Sequence, residues 1–248
     1  MGVGVAWVGG MVTTSSNAAY TPLRLLLFVD LVLIVLHAIH VFTPVLNEPV
    51  YAITVDGGLG EHFQYLKALW VALAFLALSR LRADRRYWVW AGTFAYLMLD
   101  DALLLHERAG IKFAALLDLP SVFGLRPDDL GELITALIVG GALFAALTVA
   151  YVRGTTGFRK ASHATVGLLV LLAGFGIVAD MGSILAYGTV LQHPISMLED
   201  GGEMVVMSGI VAYTWRLLAT EIRMPSRIES KAAIPAGTSV DDGADSRD

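Results

Sequence analysis

Along the chain, blocks of about 20 residues rich in Leu, Val, Ala, Ile and Phe alternate with short polar segments, and each block could cross a hydrocarbon core of about 30 Å as a helix. The pattern predicts six helices, over residues 23–45, 63–81, 87–105, 130–152, 164–190 and 196–219. The expected fold class is therefore all-α: a polytopic integral membrane protein built as a six-transmembrane-helix bundle. Residues 1–21 carry no charge and read as a flexible N-terminal tail, and 22–220 as the membrane domain. Residues 221–248 turn to Pro, Ser, a lysine and acids and read as a disordered cytoplasmic tail.

The polar connections differ in sign, and that sets an expected orientation. Arg80, Arg82, Arg85 and Arg86 lie at the end of the second helix and just after it, Arg153, Arg159 and Lys160 follow the fourth, and Arg216, Arg223, Arg227 and Lys231 lie at the end of the sixth and beyond. Basic segments stay in the cytoplasm during insertion, so a multi-pass protein of the cell membrane with both termini cytoplasmic is expected. Tyr87, Trp88, Trp90 and Trp215 beside these arginines read as aromatic anchors at the inner interface. On the outer side, the connection 108–129 holds apolar stretches too short to span and reads as an interfacial lid. Gly140, Gly141, Gly174 and Gly176 read as points of close helix contact.

Composition removes several classes. The chain of 248 residues is 56% hydrophobic and 16% charged, with a mean hydropathy of +0.67, which excludes an ordinary soluble enzyme. Its net charge of −5 argues against a nucleic-acid partner. There is no cysteine, so any metal must be held by oxygen and imidazole. The partner implied is the lipid bilayer, with a lipid-like molecule as the expected substrate.

The candidate chemistry lies in titratable residues at membrane depth, where a charged side chain is expensive and normally faces a bundle interior. The first helix carries Asp30, His37 and His40. The second opens with Glu61 and His62 and continues to Lys67, and the third closes with Asp100, Asp101, His106 and Glu107. The fourth opens with Glu132, the fifth holds Asp180, and the sixth opens with Glu199, Asp200 and Glu203. At about 1.5 Å per residue, His37, Asp100 and Glu203 share a layer roughly 10 Å inside the outer edge. Helical phase puts Glu61 with Gln64 and Tyr65, Glu199 with Glu203, and Asp100 with Glu107, and turns Asp101 and His106 away.

Carboxylates and imidazoles converging from several helices suit a divalent metal, since bare carboxylates at close range repel one another. The expected ligands of iron, zinc or manganese are Glu61, Asp100, Glu107, Glu132, Asp180, Glu199 and Glu203, with His37, His62 and His106 as nitrogen donors. Such a site could support metal-assisted hydrolysis or oxidation of a lipid-like substrate. The rival reading is a proton- or cation-coupled transporter or channel, with Asp30 as a step on a proton path toward the cytoplasm. A third is a structural subunit whose polar groups only fix helix packing. For Asp30 the plainer alternative is an internal polar contact, and for Lys67 a snorkelling residue or a counter-charge to a nearby acid. His37 and His40 could equally bond backbone carbonyls. No Glu-x-x-His pair, His-Glu-x-x-His motif, nucleophile elbow or phosphate loop occurs.

Overall fold

The computed structural model describes residues 14–122, 125–185 and 188–232, with side chains over 21–122, 125–175 and 188–222. Among the described residues the chain is helical, with no strand. The helices are α1 (Thr14–Phe42), α2 (Leu59–Leu81), α3 (Tyr87–Leu103), α4 (Leu105–Leu117), α5 (Pro127–Val152), α6 (Thr156–Leu185) and α7 (Gln192–Ala232), with a short 3-10 turn at Pro49–Tyr51. α1 begins inside the segment read as a flexible tail, and α7 runs on past the expected end of the membrane domain.

Four of these are long and apolar enough to cross a membrane: Thr21–Phe42, Leu59–Leu81, Pro127–Val152 and Gln192–Ile222. α3 and α4 together make a fifth candidate, bent by 72° at Leu104. The fold is thus all-helical and of membrane type. Large apolar side chains cover the outer surfaces of α1 (Leu25, Phe28, Leu31, Val35) and α5 (Leu133, Leu137, Ile138, Phe144). In water such contiguous faces would be a liability, whereas a bilayer solvates them.

The tightest packing lies where α2, α3, α6 and α7 meet. Phe75 stacks on Tyr87, Trp90 and Phe94 at centroid separations of 6.2, 6.0 and 6.1 Å. Tyr87 meets Phe158 edge to face at 5.1 Å. The Trp90 indole N–H donates to the Ser162 hydroxyl at 2.9 Å, which satisfies its polar edge inside the core. Tyr87 and Trp90 are fully buried, so the expectation of interfacial anchors holds at most for Trp88 and Trp215, which are exposed. An aromatic next to an arginine pair has the same sequence signature in either role.

The three basic segments meet at one end of the molecule. Arg82 Nη2 lies 2.5 Å from Glu221 Oε1, which ties the α2–α3 turn to α7, and Arg82 also donates to the Tyr87 hydroxyl. Arg86 donates to the Arg153 carbonyl, and Thr155 donates to Asp84 Oδ2 at 3.3 Å, which ties the same turn to the α5–α6 connection.

At the opposite end the chain breaks its helical phase at Leu104, which has φ 50° and ψ 47°. That left-handed backbone is unfavourable for leucine. α4 then packs on the start of α5 through Gly110 and Gly131: a Cβ on Gly131 would lie 2.0 Å from the Gly110 carbonyl oxygen. The segment read as a lid is therefore, over α4, a helix packed on α5. Close approach is not found at Gly140, Gly141 or Gly174, where nothing lies within 4 Å of an added Cβ, and the side-chain position of Gly176 is outside the described residues. Glycine spacing alone did not say which glycines face a neighbour.

α5 starts at Pro127, earlier than expected, with Pro at its first turn and a capping box in which Asp129 accepts from the Arg126 backbone N–H at 2.8 Å. Glu132 therefore sits in the second turn beside Gly110 rather than at the helix start.

Candidate functional site

A cavity of about 370 Å³ opens at the end away from the basic turns. Six carboxylates line it: Asp56 from the α1–α2 connection, Glu61 from α2, Asp100 and Asp101 from α3, and Asp200 and Glu203 from α7. Among the described residues no Lys, Arg or His lines it. Deeper along the same helices the lining becomes apolar, with Ala68, Phe94, Met204 and Met207 at its base. Charge is therefore sorted to the mouth and apolar surface to the floor.

Helix geometry explains the convergence. Glu61, Gln64, Tyr65 and Ala68 recur at three- and four-residue steps and form one stripe of α2. The Tyr65 hydroxyl and the Gly57 backbone N–H both donate to Glu61 and hold its carboxylate at the mouth. On α7, Asp200, Glu203, Met204 and Met207 share the facing stripe. Gly202, beside them, meets the Phe175 ring, where a Cβ would lie 2.3 Å from a ring carbon.

On α3, Asp100 accepts from Tyr96 Oη at 3.0 Å and from the His106 backbone N–H at 3.0 Å, and it pairs with His106 Nδ1 at 3.1 Å. It thus caps one of the free N–H groups at the start of α4, that of His106. The pairing expected from a regular helix, Asp100 with Glu107, does not form: the break at Leu104 resets the phase and brings His106 to Asp100 instead. Asp101, read as facing away, lines the cavity, and so does its counterpart on α7, Asp200. Asp101 lies within electrostatic reach of Glu61, Asp100 and Asp56, and Glu203 within reach of Asp101 and Glu199.

The remaining candidates are placed elsewhere. His37 accepts from the Ile53 backbone N–H at 3.3 Å, His40 bonds the Leu46 carbonyl at 2.8 Å, and His62 bonds the Gly58 carbonyl at 2.8 Å. These imidazoles brace the α1–α2 connection. Glu107, Glu132 and Glu199 are not among the lining residues, and the Asp180 side chain lies outside those described. Among the described residues no three His, Asp or Glu side chains are gathered as a metal-chelating group. The full ligand set expected from the sequence is thus not brought together.

Under the cavity floor lies a second polar cluster. Lys67, fully buried, donates to Asp30 Oδ1 at 2.6 Å, to Gln64 Oε1 at 3.1 Å and to the Met204 carbonyl at 2.8 Å. Ser208 donates to Asp30 Oδ2 at 2.5 Å, and Asp30 is as deeply buried as Lys67. Asp30 therefore ends in an ion pair that joins α1, α2 and α7, and the counter-charge expected for Lys67 is Asp30. Beyond it toward the basic end, Val71, Phe75, Leu78 and Ile210 are fully buried.

Sequence reasoning placed Lys67 as a countercharge but did not connect it to Asp30, because the two lie 37 positions apart on different helices. Asp56 was missed altogether. It sits in a loop, where no periodicity points it inward.

A family model described as a domain of unknown function, DUF8692, matches residues 24–217. No curated protein and no solved structure matches the chain.

Proposed function

The chain belongs to this domain family, and we propose from its own residues that it is a cation-binding membrane protein whose acidic cavity takes a divalent metal ion from the outer side. The observation that carries this reading is the cavity lining of six carboxylates with no cationic side chain among the described residues. That much negative charge in a partly dehydrated space calls for a compensating cation or bound protons.

In this reading the membrane domain crosses six times, with α3 and α4 as one broken crossing and α6 returning from the basic end. Both termini are cytoplasmic. The meeting of all three basic segments at one end supports this orientation, and it puts the cavity mouth on the outer side.

The donor set fits a hard, oxygen-seeking ion. Carboxylate, amide and hydroxyl oxygens line the cavity, while His37, His62 and His106 bond other groups. Manganese or magnesium suits such oxygens better than zinc or iron, which favour imidazole. Glu61, Asp101 and Glu203, from three helices and within electrostatic reach of one another through Asp101, would attract the ion, and because they are not gathered into a direct chelate they would hold it through intervening water. A bound ion would supply Lewis-acid polarisation to a substrate at the mouth. The apolar base of Phe94, Met204 and Met207 would receive the tail of a lipid-like molecule.

A cation-coupled transporter is the second reading, and the buried Lys67–Asp30 pair below the floor favours it, since intramembrane charges mark ion and proton routes. The fully buried Val71, Phe75 and Leu78 beneath that pair favour a closed base.

Manganese chloride added to the detergent-purified protein is expected to raise its unfolding temperature saturably, by about 3 °C or more. Glu203→Gln should weaken the response at least tenfold in concentration. A wild type that unfolds at the same temperature with and without manganese overturns the reading.

A further inference from the structure

The Lys67 ammonium has no part in binding a metal at the cavity mouth, yet its surroundings are those of a built cation site. An ammonium has three N–H donors, and here each meets one oxygen: Asp30 Oδ1 at 2.6 Å, Gln64 Oε1 at 3.1 Å and the Met204 carbonyl at 2.8 Å. The face of Phe63 closes a further side, 4.4 Å from Nζ. Ser208 holds the second oxygen of Asp30 and so fixes the carboxylate. Three helices contribute to this cage, and two of its oxygens belong to Gln64 and Met204, which also line the cavity. Cage and cavity share a wall.

We infer that this cage is a second, deeper cation subsite, that Lys67 is its tethered occupant, and that a small ammonium-type cation arriving from the cavity competes with Lys67 for it. The inference rests on the reading of the cavity as a cation-binding pocket. A buried ion pair adds little stability over apolar groups of the same shape, so holding helices together does not by itself account for one at this depth. Exchange keeps the charges balanced. The incoming cation takes the place of the lysine ammonium on Asp30, and the released head group turns toward the carboxylates of the cavity.

The test replaces the tethered ion by a free one. Lys67→Ala removes the side chain beyond Cβ together with its charge, which leaves room beside Asp30 for an ammonium ion. With ammonium chloride as the probe, the unfolding temperature of this variant is expected to rise saturably, by about 3 °C or more over matched sodium chloride. The wild type should respond at least tenfold more weakly in concentration, because Lys67 competes. The Asp30→Asn/Lys67→Ala double variant should show no gain.

If the Ala variant does not fold, Lys67→Ser, which also leaves the ammonium position empty, carries the same titration. An equal response in wild type and variant, a response that survives Asp30→Asn, or one matched by sodium overturns the subsite. When wild type shows the Glu203-dependent manganese shift but the Lys67 variants gain nothing from ammonium, the subsite fails and the cavity reading stands. Loss of the manganese shift removes the cavity reading itself.

Discussion

At the residue scale, what each polar side chain does is set by whether its partner comes from its own helix or from a neighbour. Lys67 and Asp30 are satisfied across helices, whereas Glu61 is held by Tyr65 one turn away. Asp84, outside the membrane-spanning segments, is the clearest case of competing effects. Burial alone raises its carboxyl, but hydrogen bonds from the Arg86 side chain and backbone and from Thr155 outweigh it and hold the carboxyl below its ordinary 3.8. A lowered pKa in the folded state means that the stabilisation is complete above the unfolded-state value and is lost as pH falls through the folded-state value. We therefore expect the unfolding temperature of the wild type to fall from about pH 4 downward. Asp84→Asn should be less stable at neutral pH, by about 1–3 kcal/mol, and flatter across that acid range. A variant whose acid limb matches that of the wild type would refute the assignment. The residue types of the cavity were legible in the sequence, and Glu61, Asp100 and Glu203 were identified from depth and phase. Asp101, Asp200 and Asp56 were not, because adjacent acids on a helix diverge and a loop residue has no phase.

At the scale of elements, the break at Leu104 governs the end where the acidic cavity opens. A leucine held left-handed gives no sequence signal, so a regular helix through 105 paired Asp100 with Glu107, whereas the bend of 72° hands His106 to Asp100 and lays α4 against α5. The α4–α5 contact depends on Gly131. Gly131→Ala would place a methyl 2.0 Å from the Gly110 carbonyl oxygen, so α4 must move away, at a cost of about 1–3 kcal/mol. Gly140→Ala, with open space around it, should be neutral or stabilising by up to about 1 kcal/mol through helix propensity. Thermal unfolding of the two variants side by side checks this. Equal losses would mean that the close approach at Gly131 is not what holds α4. The long apolar blocks that became α1, α2, α5 and α7 were visible from hydropathy because the bilayer imposes their length. Their ends were not visible: α2, α5 and α7 each start several residues before the apolar block, so Glu61 lies inside α2 rather than ahead of it, and Glu132 and Glu199 lie about a turn further into their helices than expected.

Across the whole molecule, polarity is divided between two ends. The basic turns are locked together by Arg82, Asp84 and Arg86 over an aromatic core, and the acidic cavity opens at the other end above the Lys67–Asp30 pair. In the proposed orientation, a protein arranged this way presents a negative, partly apolar pocket to one side of a membrane and a positive face to the other. The central claim is that this pocket binds a divalent cation, and the most direct measurement is equilibrium dialysis against manganese chloride followed by elemental analysis of the detergent-solubilised protein. Wild type and a folded Asp101→Ala/Glu203→Ala variant are compared. The account predicts near-stoichiometric manganese in the wild type and its loss in the variant. A wild type that retains no manganese, or a variant that retains as much, would contradict it.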